Sequence, residues 1–145
     1  MAIVIEKAQA KDFGPIVRLL KSHGLPEAGL GEHMTTAVVA RSEGDVVGSA
    51  VVEIYPKGAL LRSLAVDRRL QGHGLGKRLT KAAIELARSS GAPAAYLLTT
   101  TAETFFPRLG FDRIERDEVP EDVRRSVEFT SACPASAVAM MKILR

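Results

Sequence analysis

The residues best suited to chemistry form one run, Gln71-Gly72-His73-Gly74-Leu75-Gly76-Lys77, followed by Arg78. Three glycines in five positions let backbone N–H groups approach an anion with no Cβ in the way. Residues 62–81 hold Arg62, Arg68, Arg69, Lys77, Arg78 and Lys81 against Asp67 alone, a local +5 in a chain of net charge +3. A local basic patch on a near-neutral chain fits a small anion such as a pyrophosphate. It does not fit nucleic acid, which calls for a wider basic face with stacking aromatics; aromatics are 5% here and Trp is absent.

Spacing excludes two common phosphate loops. A Walker loop reads G-x-x-x-x-G-K-[ST], but the residue five before Gly76 is Gln71 and Lys77 is followed by Arg78. The dinucleotide fingerprint G-x-G-x-x-G is not matched, and three predicted strands already precede the loop. The single cysteine, Cys133, allows no intrachain disulfide. With His23, His33 and His73 scattered, no structural zinc site and no metal are expected.

The elements that must position the loop are legible from periodicity. Residues 2–7 alternate as a first strand. Phe13, Ile16, Val17, Leu19 and Leu20 recur at helix spacing over Asp12–Lys21, and Gly24-Leu25-Pro26 ends that helix. Residues 24–34 read as a loop. Thr36–Arg41, Val46–Tyr55 and Ala59–Val66 are three strands of a meander, with a hairpin turn at Glu43-Gly44-Asp45. After the glycine-rich loop, Leu75, Leu79, Ala82, Ala83 and Leu86 form one apolar face of a helix stopped by Gly91 and Pro93. A helix beginning there would turn its unpaired N–H groups and positive dipole end toward a bound anion. Ala94–Leu98 is a short strand, Ala102–Leu109 a short helix, residues 117–130 a further helix with Pro120 near its start, and Ala137–Ile143 a last strand. The order predicts an α+β fold of α/β-type layers, with a mixed central sheet of about six to seven strands flanked by about four helices.

At 145 residues, 46% apolar and 26% charged, the chain reads as one soluble domain over 1–145. The N-terminal run is too short and too soon charged for a signal peptide. No apolar run approaches 18 residues, so no membrane contact is expected and a cytoplasmic location follows by default.

Gln71-x-x-Gly74-x-Gly76 resembles the Q/R-x-x-G-x-G/A signature of the GCN5-related N-acetyltransferases. Leu61-Arg62-Ser63-Leu64-Ala65-Val66-Asp67 resembles that family's fourth strand. Phe105-Phe106-Pro107-Arg108-Leu109-Gly110-Phe111 resembles the end of its A-x-x-x-Y-x-x-x-G-F segment. The resemblance implies acetyl-CoA as cosubstrate. Its pantetheine arm would pair with the backbone of Leu64, Ala65 and Val66, and its pyrophosphate would lie on the amides of Gln71, Gly72, His73, Gly74, Leu75, Gly76 and Lys77. The family often has Asn where this chain has Thr99, and a tyrosine acting as general acid where it has Phe106. Leu97-Leu98-Thr99-Thr100 followed by Phe106 resembles the bacterial N-acetylglutamate synthases and the small N-acetyltransferases of arsenic-resistance operons. The tail Glu128-Phe129-x-x-x-Cys133-Pro134-x-Ser136 resembles the second group more.

Acetyl transfer needs a neutral amine, so some group must take a proton. Glu53, a carboxylate inside the apolar run Ala50-Val51-Val52-Glu53-Ile54, is the first candidate. Arg62 and Ser63 are neighbours on a strand and face opposite ways. One of them should face the acceptor, and Arg62 would pair a carboxylate, arsonate or phosphinate bidentately. The oxyanion would use a strand amide at Leu64 or Val66. Cys133 is expected to have no catalytic duty. The expected acceptor is a small, anionic, amino-acid-like amine such as glutamate or an arsenic or phosphinate toxin. A peptide acetyltransferase and a non-catalytic acyl-CoA sensor are the alternatives. A homodimer is compatible with the family resemblance.

Overall fold

A computed structural model describes residues 2–144, with the side chains of residues 131 and 132 outside the description. Seven strands form one sheet in the order β1-β2-β3-β4-β5-β7-β6. They are β1 (Ile3–Lys7), β2 (Ala37–Ser42), β3 (Asp45–Tyr55), β4 (Gly58–Val66), β5 (Ala94–Thr99), β6 (Asp112–Ile114) and β7 (Val138–Ile143). All neighbours are antiparallel except β4 and β5, which run parallel. Three α-helices flank the sheet: α1 (Phe13–Ser22), α2 (Leu75–Ser89) and α3 (Glu121–Arg124).

Alternation within the strands explains the layering. Val39 and Val51 point to one face, where they meet Ile16 and Leu20 of α1. Val38, Ala40, Ala50 and Val52 point to the other, where they meet Leu75, Leu79, Ala83 and Ala87 of α2. Both faces being covered, β2 to β4 read as nearly continuous apolar runs. Each fully buried Leu or Ile contributes about 1.5–3 kcal/mol. α2 lies so close to β3 that a Cβ on Gly48 would come within 2.7 Å of Leu79 Cδ1. The hairpin turn expected at 43–45 is present, with Glu43 and Gly44 both at positive φ, 51° and 87°, as a two-residue primed turn requires.

Two expected helices are shorter than the pattern implied. The 117–130 segment breaks into a 3-10 turn at Arg116–Glu118, α3, and a π-helical turn at Glu128–Ala132. Pro120 is the cause at the first break, because it holds the residue before it out of the α region; Val119 sits at φ −76°, ψ 135°. In the 102–109 segment only Phe106–Leu109 winds, as a 3-10 turn, since Pro107 brings no N–H to a longer helix. The 24–34 loop contains the start of a 3-10 segment, Leu30–Thr36.

Candidate active site

Two irregularities of β4 make the site. The first is a bulge: Ser49 pairs with Ala65, but Val51 pairs with Arg62, so β4 carries one extra residue. Ser63 there takes φ 58°, rare for a non-glycine residue. The Ser49 hydroxyl fixes the bulge by donating to the Ser63 carbonyl at 2.7 Å. Bulges of this kind re-aim side chains beside active sites. The second is a splay: β4 and β5 pair only at Ala59–Ala95 and Leu60–Tyr96. Beyond those pairs the strands part, while β5 stays paired with β7 up to Thr99.

A cavity of about 290 Å³ fills the gap. Leu61 to Leu64 and Leu97 to Thr99 form its strand walls, Phe106 closes one side, Glu128 and Cys133 another, and His23 to Pro26 cover it. Five of the expected site residues thus come together: Arg62, Ser63, Leu64, Thr99 and Phe106. The Thr99 hydroxyl oxygen accepts from the Ala102 N–H at 2.9 Å and holds the turn after β5. Phe106 is buried and brings no hydroxyl to the cavity. Ala65 and Val66 are buried at the end of β4.

The glycine-rich loop follows directly. Gln71 donates from its side chain to the Val66 carbonyl at 3.2 Å, tying the loop to the strand. Gly72 and Gly74 adopt φ 87° and 80°, which only glycine takes without strain. Gly74 caps α2, and the Arg78 N–H makes the first α-type bond back to the Gly74 carbonyl at 3.1 Å. The amides of Leu75, Gly76 and Lys77 precede that bond and have no intrahelical partner. His73 and Lys77 are exposed beside them, and Leu75 is buried. This is an anion cradle at a helix N-terminus. It connects to the cavity wall by packing: the Phe105 ring lies 3.4 Å from where a Gly76 Cβ would be, and Phe105 meets Phe106 edge-on at 5.1 Å.

Burial and pairing define how Arg62 and Glu53 are placed. Arg62 is buried, and its guanidinium is committed to the protein. Nη1 donates to Glu53 at 2.9 Å and to the Ala28 carbonyl at 2.6 Å, Nη2 to the Pro26 carbonyl at 3.2 Å, and Nε to the Ser63 hydroxyl at 3.0 Å. With four of five donors engaged, a bidentate grip on a substrate anion is removed. Glu53 is 1% exposed and lies behind Arg62, not among the residues lining the cavity. The Tyr55 hydroxyl donates to it, and His33 Nε2 lies 3.5 Å away. Burial, and then the Glu53 charge, push the Tyr55 hydroxyl above its ordinary range.

The charged side chain that does meet the cavity with few partners is Glu128. It is 4% exposed, 3.5 Å from Arg62 Nε, and accepts from the Cys133 thiol at 3.7 Å. Burial pushes its carboxyl up to about 7; Arg62 opposes that shift and the Glu53 charge adds to it. Burial likewise raises the Cys133 thiol to about 12, so it stays protonated and is a poor nucleophile at neutral pH. Periodicity missed Glu128 because a π turn breaks the helical repeat. The signal available was the Glu128-to-Cys133 spacing of five, the hydrogen-bond step of that turn: the Cys133 N–H donates to the Glu128 carbonyl at 3.1 Å.

This geometry has relatives. The acetyltransferase (GNAT) family signature matches residues 9–111. An uncharacterized N-acetyltransferase of Chlorobaculum tepidum is 30% identical over 118 residues, covering 78% of this chain and 74% of that protein. The amino-acid acetyltransferase of Ralstonia nicotianae is 35% identical over 89 residues, covering 60% of this chain; the match spans only 20% of that longer protein. A Mycobacterium tuberculosis protein solved in complex with CoA overlays with TM-score 0.84 at 26% identity, covering 98% of this chain and 99% of that one. The chain belongs to the acetyltransferase (GNAT) family and is an N-acetyltransferase with acetyl-CoA as cosubstrate.

Proposed function

We propose that this chain acetylates the amine of a small, free, amino-acid-like acceptor carrying a second acidic group, glutamate or a phosphinate or arsenic analogue of it. The observation that carries this reading is the covered cavity. Arg62 pins the 24–28 segment over it through the Pro26 and Ala28 carbonyls, and Gly24, Leu25 and Pro26 line it. A space of about 290 Å³ suits a molecule at the small end of ordinary ligand pockets better than a peptide. The Ralstonia relative being an amino-acid acetyltransferase supports the same class.

Acetyl-CoA would enter with its pyrophosphate on the Leu75–Lys77 amides. Its pantetheine would pair with the edge of β4 that β5 leaves open, bringing the thioester to the cavity. An amide near Leu64 would face the developing oxyanion. His23 lines the cavity, and its Nε2 is buried with no hydrogen-bond partner among the described residues; it is the group left to meet an acceptor's acidic end. Thiol release from acetyl-CoA over a panel tests this: glutamate, aspartate, glutamine, a glutamate-like phosphinate and arsinate, and short peptides. Turnover with an acidic amino acid or its analogue is expected. Turnover with peptides alone, or with no amine, contradicts it.

A further inference from the structure

Among the described residues lining the acceptor cavity, Glu128 is the only acidic side chain. It is carried there by the π-helical turn Glu128–Ala132, a widened turn of a kind concentrated at functional sites. Glu53 cannot serve the same space, since Arg62, Tyr55 and His33 surround it. We propose that Glu128 is the proton acceptor of the reaction, taking a proton from the acceptor's ammonium so that the nitrogen can attack the thioester. The proposal rests on the amine-acetylation reading above.

The groups around Glu128 favour that role. Arg62 on β4 faces it at 3.5 Å, Glu53 on β3 stands behind Arg62, and Cys133 lies beyond the turn. His23, at the end of α1, also lines the cavity. Arg116 reaches the Pro134 and Ala137 carbonyls beyond Cys133. The carboxylates of α3 are occupied elsewhere: Glu121 pairs with Arg125 at the surface at 2.6 Å, and Asp122 accepts from the Lys57 N–H at 2.8 Å. Arg62 is therefore shared between two carboxylates. An entering ammonium supplies a second positive charge and is drawn to the less engaged carboxylate, Glu128.

The step balances. Of the ammonium's three protons, one passes to Glu128 and on to solvent. The freed lone pair forms the C–N bond. The tetrahedral intermediate collapses with cleavage of the C–S bond, the second proton leaves the nitrogen for the departing thiolate, and the third stays on the amide. A thiol near roughly 8.5 is a good enough leaving group to need no tyrosine at position 106.

The test compares the wild type, Glu128→Gln and Glu128→Asp, using the best amine of the panel. CoA binding, measured by calorimetry, reports whether each variant is folded. The wild type is expected to gain kcat/KM as pH rises through a limb near 7, because the carboxylate form accepts the proton. Glu128→Gln should bind CoA normally and lose roughly 10²–10⁴-fold in kcat/KM at pH 7. Its remaining limb should move up to the range where the free amino acid's own ammonium deprotonates, above the roughly 8 of a chain-terminal α-amine. Glu128→Asp should recover part of the loss. A Glu128→Gln enzyme within threefold of wild type at pH 7, or one keeping the limb near 7, overturns the proposal while the acetyltransferase reading stands. A folded wild type that acetylates no amine removes both.

Discussion

At the scale of residues, a buried charge cluster holds the site, and its members have different stakes. Removing Arg62 leaves Glu53 buried without its guanidinium partner, which costs on the order of 3–5 kcal/mol. Arg62→Ala is therefore expected to shift the urea midpoint by that equivalent. Arg62→Lys should recover only part, since a lysine cannot reach Glu53, Ser63 and two carbonyls in one plane. A loss under about 1 kcal/mol on the Ala variant would contradict the cluster. Glu128 and Asp12 act on stability with opposite signs. Glu128 titrates near 7 when folded and near roughly 4.3 when unfolded. Between those values the folded chain holds the extra proton, so stability falls as pH rises from about 4.3 to 7, by on the order of 3 kcal/mol in all. Glu128→Gln should abolish that fall, as read from urea midpoints across the window. Asp12 is held below its ordinary range chiefly by its hydrogen bonds from Arg41, at 2.9 and 3.1 Å. Its contribution is present above the unfolded value and is lost as pH falls through the lower, folded one; Asp12→Asn should remove that acid-side loss.

The elements show what a sequence can and cannot reveal. Strands β2 to β5 and helix α2 were legible because each buries a regular face, and the glycine-rich loop because its spacing belongs to an anion cradle. The 117–130 segment was not legible as three pieces, and the reason is physical: its course follows from Pro120 and from the burial of Glu128 against Arg62, a contact 66 residues away in the chain. The same limit applies to Glu53. The apolar run placed it in a strand but did not show that it is buried or which side of Arg62 it occupies, since the β4 bulge at Ser63 re-aims the strand. At the loop, Gly74 takes φ 80° with nothing within 4 Å of where a Cβ would sit. Gly74→Ala thus adds backbone strain without a clash, costing roughly 1 kcal/mol. Because that residue caps the helix proposed to hold the pyrophosphate, CoA affinity should fall as well, about fivefold or more by calorimetry. Unchanged affinity would place the pyrophosphate elsewhere.

Across the whole molecule, the splay of β4 from β5 leaves strand edges facing a cavity in the middle of the sheet. Filling that gap should stabilise the fold. At CoA concentrations 100 times Kd, linkage gives about 2.7 kcal/mol, visible as a rise in Tm of several degrees that ATP and NAD do not reproduce. In the proposed function the segment 24–28 restricts the acceptor, and this is tested most directly by comparing two acceptors that differ only in size. The measurement is kcat/KM for the best free amino acid against the dipeptide that carries it at the N-terminus, same amine and same side chain. A covered cavity predicts a preference for the free amino acid of at least 100-fold. Equal rates, or a preference for the dipeptide, would contradict it.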